Sequence, residues 1–191
     1  MVRLAIFASG TGSNFEAIVH AEKNGGMPFT CALLVCDQPQ AAVLVKADKA
    51  GVPSVVFEPK AFDDKAAFEQ AIRAALEEHN IEFIALAGYM RLIGPTLLNS
   101  YEGKIVNIHP SLLPAFPGLN AVGQALQAGV KVTGVTIHYV DSGMDTGEII
   151  AQQAVPVSDN DTEESLRKKI QAVEHTLYPE TLANLLQSCE K

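Results

Sequence analysis

The apolar run Val2–Ala8 ends abruptly on Ser9-Gly10-Thr11-Gly12-Ser13-Asn14, and an amphipathic stretch, Ser13–Lys23, follows with Phe15, Ile18 and Val19 on one side. A strand apolar on both faces must be covered on both faces, so this strand–glycine turn–helix unit points to the interior of a parallel sheet. The pattern recurs. Thr30–Cys36 reads as a second strand, Gln40–Ala50 as a helix stopped by Gly51, and Val52–Phe57 as a third strand. Lys60–His79 reads as one long helix on the spacing of Phe62, Phe68, Ile72 and Leu76, and Phe83–Ala87 and Lys104–Ile108 as strands around a short helix, Pro95–Asn99.

Beyond a proline-rich loop (Pro110, Pro114, Pro117, Gly118), Ala121–Ala128 reads as a short helix, and Val132–Val140 and Glu148–Val155 as long strands joined by a Gly/Asp-rich loop. A final helix opens at Asp161-Thr-Glu-Glu164 with a capping-box spacing, carries Leu166, Ile170, Val173 and Leu177, and meets a break or kink at Pro179. With no repeat, linker or low-complexity tract, residues 1–191 make one domain. The expected fold is α/β: a single-domain, Rossmann-like, mostly parallel sheet with helices on both faces and antiparallel strands added after residue 130.

Charge narrows the partners. Fourteen Lys and Arg stand against 22 Asp and Glu, a net charge of −8, which argues against nucleic acid and against an anionic membrane surface. No apolar run approaches transmembrane length, and Met1–Ala8 is too short for a signal sequence, so a cytoplasmic protein is expected. Cys31, Cys36 and Cys189 form neither an even disulfide set nor a metal knuckle, which fits free thiols in a reducing compartment. The five histidines are scattered without metal-ligand spacing, so no metal is expected.

Three places carry chemistry. The Ser9–Asn14 turn lets the backbone approach a ligand, and the free amides of the helix that follows suit an anion. Phe15 stands where a dinucleotide fingerprint needs its third glycine, and no Lys-Ser/Thr pair completes a P-loop. A monophosphate cradle with Ser13 and Asn14 as added donors fits better, beside the readings of a plain glycine turn and of a dinucleotide site with Asp37 on a ribose. Asn107 and His109 share one strand face at the carboxyl end of the sheet, where ligands of such folds bind. Asp145, in Gly143-Met-Asp-Thr-Gly147, is the acid available to orient His109, or else a turn residue. An amide, an imidazole and a carboxylate together can stabilise an oxyanion and move a proton. His138, inside a strand, reads as a supporting group; His20 and His79 sit near helix ends with no assigned role. Glu174 flanks the last helix's apolar stripe, as a solvated flank or a carboxylate for a substrate amine or hydroxyl.

The motifs Ser9–Asn14, Ala87-Gly-Tyr-Met-Arg-Leu-Ile93, Asn107-Ile-His-Pro-Ser-Leu-Leu-Pro114, Phe116-Pro-Gly118, His138-Tyr-Val-Asp-Ser-Gly-Met-Asp145 and Glu174-His-Thr-Leu-Tyr-Pro179 together resemble the single-domain, folate-dependent phosphoribosylglycinamide formyltransferases over essentially the whole chain. The resemblance implies transfer of a formyl group from 10-formyltetrahydrofolate, as co-substrate, to the amine of glycinamide ribonucleotide, with no metal and no covalent enzyme intermediate. By position it implies that Gly12, Ser13 and Asn14 hold the phosphate and Glu174 the ribose. Met90, Arg91, Leu92 and Ile93 line the pterin pocket through their main chain, with Lys65 as a further folate contact. Asn107 touches the formyl oxygen, and His109 donates a proton with Asp145 favouring its charged form. Residues 1–110 then form a nucleotide- and phosphate-binding half, and residues 111–191 a folate and catalytic-loop half. Small molecules are the implied partners, and the implied assembly is a monomer or homodimer.

Three departures from the family pattern stand out: Lys65 where an Arg is usual, Asn120 where Asp or His is commoner, and Glu148 in place of a Pro. Two other readings compete. A 10-formyltetrahydrofolate hydrolase would use the same trio with water, but is expected to carry a further domain ahead of the first strand. A non-catalytic nucleotide-binding module would place Asp37 on a ribose. A formyltransferase for initiator tRNA is expected to carry a basic C-terminal domain. No Lys or Arg occurs from Leu4 to Glu22, from Ile105 to Val130, or from Val132 to Leu166. Anion binding is therefore expected to rest on main-chain amides and one histidine, unless a distant residue such as Arg91 folds over the site.

Overall fold

Strand β1 (Val2–Ala8) alternates its side chains between two separate cores, and the rest of the molecule is arranged around that alternation. A computed structural model describes residues 1–187 of the chain; Cys189 lies outside the described residues. Leu4, Ile6 and Ala8 face a core built with α1 (Ser13–Lys23), α2 (Ala42–Ala50), α5 (Ala121–Ala128) and α6 (Glu163–Gln187). Ala5 and Phe7 face a second core with Phe68, Ile72 and Leu76 of α3 (Lys65–Glu78) and Leu97 of α4 (Pro95–Ser100). Two apolar faces on one strand are what a sheet covered by helices on both sides requires.

The sheet has seven strands in the order β3-β2-β1-β4-β5-β6-β7. β2 (Phe29–Cys36), β3 (Ser54–Val56), β4 (Phe83–Leu86) and β5 (Ile105–His109) continue the parallel part. β6 (Val132–Tyr139) and β7 (Ile149–Pro156) are antiparallel additions, so the α/β, Rossmann-like, single-domain architecture with antiparallel strands after residue 130 is what the chain adopts. The order reverses between β1 and β4, and ligands of open α/β sheets bind at that crevice.

Three elements differ from their sequence reading. Lys60–His79 is not one helix: a single 3-10 turn, Pro59–Ala61, precedes α3, whose N-cap Asp64 accepts the Ala67 amide at 2.7 Å. The third strand shrinks to Ser54–Val56 at the sheet edge, where it pairs with β2 alone. In the final helix the capping pair is Thr162 and Ser165, each amide meeting the other's hydroxyl at 2.9 and 3.2 Å. Asp161 instead accepts from the Ser158 amide and the Ser165 hydroxyl and pairs with Lys169. α6 also runs on through Pro179 to Gln187 rather than breaking there. Among the described residues no helix is long and apolar enough to cross a membrane.

Candidate active site

A cavity of about 760 Å³ opens at the carboxyl ends of β1, β4 and β5, against the start of α1 and one face of α6. Its walls come from both halves of the chain, and four kinds of local structure build it.

The first is the β1–α1 turn. Gly12 caps α1 in the left-handed region (φ 72°), and a Cβ there would lie 2.4 Å from Val43 Cγ2, so both the conformation and the packing require glycine. No side chain caps this end, so the first-turn amides remain directed at the cavity beside Ser13 and Asn14. Asn14 is buried and donates through Nδ2 to Glu174 Oε2 at 3.0 Å, joining the β1–α1 turn to α6. Burial pushes the Glu174 carboxyl up, and the Asn14 hydrogen bond and the Arg167 charge only partly offset it.

The second is the segment after β4, Gly88–Gly94, which is extended and irregular and forms a wall. Met90 N–H donates to Ser9 Oγ at 2.9 Å, and Arg91 Nε donates to Asp37 Oδ2 at 2.9 Å, with its guanidinium 5.7 Å from the Phe68 ring centre. No main-chain hydrogen bond among the described residues engages Arg91, Leu92 or Ile93, so their N–H and C=O groups are available to a ligand. Met90 and Leu92 are exposed on this wall, opposite exposed Leu119 and Met144 on the facing loops, a pair of apolar lips suited to a flat ring.

The third is the polar centre. β5 pairs with β6 so that Asn107 stands opposite His138, and Asn107 Nδ2 lies 3.2 Å from His138 Nε2. His138 Nδ1 is 2.8 Å from the Tyr139 carbonyl, which can only accept, so Nδ1 carries the hydrogen and Nε2 is free to accept one N–H of Asn107. The second Asn107 N–H is then left for a ligand. His109 Nδ1 lies 3.4 Å from Asp145 Oδ2, and its Nε2 lies 2.8 Å from the Phe116 carbonyl. Both neighbours are oxygen acceptors, so each ring nitrogen faces an atom that can take a hydrogen from it.

The fourth is the β6–β7 loop. Asp145, itself left-handed (φ 56°), faces His138 Nε2 at 3.6 Å with Oδ1 and accepts the Gly118 amide at 2.7 Å with Oδ2. Burial raises its carboxyl, but the His138 ring, the Gly118 amide and His109 beside it outweigh that and hold it below its ordinary value.

Gly12, Ser13, Asn14, Met90–Ile93, Asn107, His109, His138, Asp145 and Glu174 thus all border one cavity. Lys65 does not: it sits at the first turn of α3 behind the wall, with Cε against the Gly94 backbone. Asp37 is buried and committed to Arg91, which leaves the ribose reading for its carboxylate without an open oxygen facing the cavity. Arg91 is in turn held by Asp37 rather than folded over the Ser9–Asn14 turn. Sequence reading missed Arg167 and Gln171, which α6 brings to the cavity two turns and one turn before Glu174; the spacing 167, 171, 174 along one helical face was the available signal. Among the described residues no group of three or more His, Cys, Asp or Glu side chains is placed to hold a metal ion.

The formyl transferase family matches residues 2–182. The chain is 59% identical over 186 residues to the phosphoribosylglycinamide formyltransferase of Bacillus subtilis (strain 168), covering 97% of this chain and 95% of that protein. It is 41% identical over 180 residues to the trifunctional purine biosynthetic protein adenosine-3 of Bos taurus, covering 94% of this chain but 18% of that one. The crystal structure of glycinamide ribonucleotide transformylase 1 from Geobacillus kaustophilus matches with a TM-score of 0.95 and 60% identity, over 97% of this chain and 99% of that chain.

Proposed function

The chain belongs to the formyl transferase family, and from that premise we infer that it moves the formyl group of 10-formyltetrahydrofolate onto the amine of glycinamide ribonucleotide, giving formylglycinamide ribonucleotide and tetrahydrofolate in purine biosynthesis. The hydrolase and binding-module readings gain no support from the relatives compared, which are named as transferases or as a purine biosynthetic protein.

One observation supports the assignment of roles most strongly. The Asn107–His138 and His109–Asp145 pairs meet on the floor of a cleft flanked by the free α1 amides on one side and the unbonded Arg91–Ile93 main chain on the other. The amine substrate's phosphate lies on the amides of Gly12, Ser13 and Asn14, with its ribose hydroxyls on Glu174. The pterin lies along Met90, Arg91, Leu92 and Ile93. The formyl carbon is then held between them, an orientation effect that removes much of the entropic barrier of a two-substrate reaction.

As the amine nitrogen attacks, the formyl oxygen gains charge, and the free N–H of Asn107 stabilises it. His109 donates a proton to the departing folate nitrogen when the C–N bond breaks. The amine gives up one proton toward Asp145, which adjoins His109 Nδ1, so the proton lost and the proton supplied balance across that contact. Lys65 lies behind the Gly88–Gly94 wall and does not border the cavity, so it is given no folate contact. The enzyme works in the cytoplasm, on small molecules.

The direct test supplies purified protein with both substrates and follows formyl transfer and formate release separately. Transfer that requires glycinamide ribonucleotide supports the assignment; formate release that ignores the amine would overturn it.

A further inference from the structure

Glu69 is a charged side chain in an apolar core. It is 2% exposed on the buried stripe of α3, between Phe68 and Ile72, and takes no part in the chemistry described above. Its two carboxylate oxygens meet backbone amides of another segment: Oε1 accepts Gly94 N–H at 2.5 Å and Oε2 faces Leu97 N–H at 3.4 Å. Those two amides belong to the end of the Gly88–Gly94 wall and the first turn of α4. The carboxylate also fills the space a side chain at residue 94 would need, since a Cβ on Gly94 would lie 2.7 and 2.9 Å from its two oxygens.

Besides the main-chain bonds at its two ends, Ser9 N–H to the Gly88 carbonyl and Leu98 N–H to the Gly94 carbonyl, three side-chain contacts hold the wall. Ser9 Oγ takes the Met90 amide, Asp37 takes the Arg91 guanidinium, and Glu69 takes the Gly94 amide. Only the Glu69 contact is enclosed, 2% exposed and remote from solvent, so it resists competition from water. A buried amide that loses such a partner is driven to find another, and Gly94 can do so only by moving. The displacement would be felt next at Ile93 and Leu92, whose main-chain groups have no other hydrogen bond among the described residues to hold them.

We propose that Glu69 is a positioning residue for the co-substrate side of the cleft: by fixing Gly94 it sets the main-chain donors and acceptors of Arg91, Leu92 and Ile93 at the spacing a pterin edge requires. The proposal rests on the assignment of that wall to the folate. It predicts an effect confined to one substrate, because the phosphate turn and Glu174 belong to other elements.

The test compares wild type, Glu69→Ala, Glu69→Gln and Gly94→Ala. Steady-state constants are measured for each substrate separately, together with tetrahydrofolate affinity by calorimetry. Glu69→Ala is expected to raise KM and Kd on the folate side about tenfold or more, with kcat and the KM of glycinamide ribonucleotide within about threefold of wild type, the pattern of lost ground-state binding. Glu69→Gln, which keeps one acceptor oxygen, should recover part of the loss. Gly94→Ala keeps the carboxylate but forces it away from the amide, at a backbone angle (φ −101°) that alanine tolerates, and should reproduce the folate-side split even if Glu69→Ala does not fold. Folded variants with unchanged folate KM and Kd, or with both KM values rising together, would overturn the positioning role. Failure of wild type to transfer a formyl group at all would instead refute the reading of the wall, and the calorimetric arm keeps the two outcomes apart.

Discussion

The oxygen of Asp145 that faces His109 is the same one that accepts the Gly118 amide: Oδ2 lies 3.4 Å from His109 Nδ1 and 2.7 Å from Gly118 N. One carboxylate thus ties the loop between β6 and β7 to the loop that follows β5, and binds both to the histidine between them.

Asp145→Asn separates the two duties. The amide oxygen still accepts from Gly118, but the charge beside His109 is gone. We expect kcat to fall about a hundredfold, the scale of lost general acid–base catalysis, and Tm at pH 7 to fall as the stabilising ionised carboxylate is lost. Steady-state kinetics and a thermal melt check it.

The same carboxylate gives acid stability a defined sign. Its folded pKa is lowered, so between that value and the unfolded value near 4 the unfolded chain holds the extra proton and stability rises with pH. The contribution is complete above about pH 5 and is lost as pH falls through the lower folded value. Melts of wild type and Asp145→Asn from pH 2 to 6 should therefore converge at the acid end, the wild type having the steeper slope.

Glu174 has the opposite character. Its carboxyl is raised by burial, so the ionised form costs stability above the unfolded pKa, and neutral Gln removes that cost. Glu174→Gln should melt at the same temperature as wild type or higher at pH 8, while the KM for glycinamide ribonucleotide rises about tenfold through loss of a charged acceptor.

His138 acts through Asn107. If its lone pair orients the amide, His138→Ala and Asn107→Ala should not add: the double variant should be no slower than Asn107→Ala, itself expected to lose about a hundredfold or more in kcat. A double variant slower than the single by the full His138 factor would separate the two residues.

Much of this was legible in the residues. The bounds of β1 and α1 follow from Val2–Ala8 and the glycine turn, and α5 from Ala121–Ala128, because apolar runs and left-handed stops are local signals. Asn107 and His109 could be paired by the two-residue period of a strand. The start of α3 was not legible from its apolar spacing, since Phe62 continues the helical rhythm although Asp64 caps the helix after it. Nor could sequence bring Asp145 to His109, or Glu69 to Gly94: these contacts span loops and opposite elements, and nothing in either local pattern specifies the partner. The site segments themselves carry no Lys or Arg. The cavity's two arginines arrive from elsewhere, Arg91 already tied to Asp37 and Arg167 on α6.

The central claim is that His109 moves the proton in a formyl transfer between two bound small molecules. The most direct measurement is single-turnover formyl transfer by His109→Ala with both substrates saturating, beside tetrahydrofolate binding to the same protein. The expected result is a transfer rate at least about a hundredfold below wild type with folate affinity retained; a rate equal to wild type would contradict it.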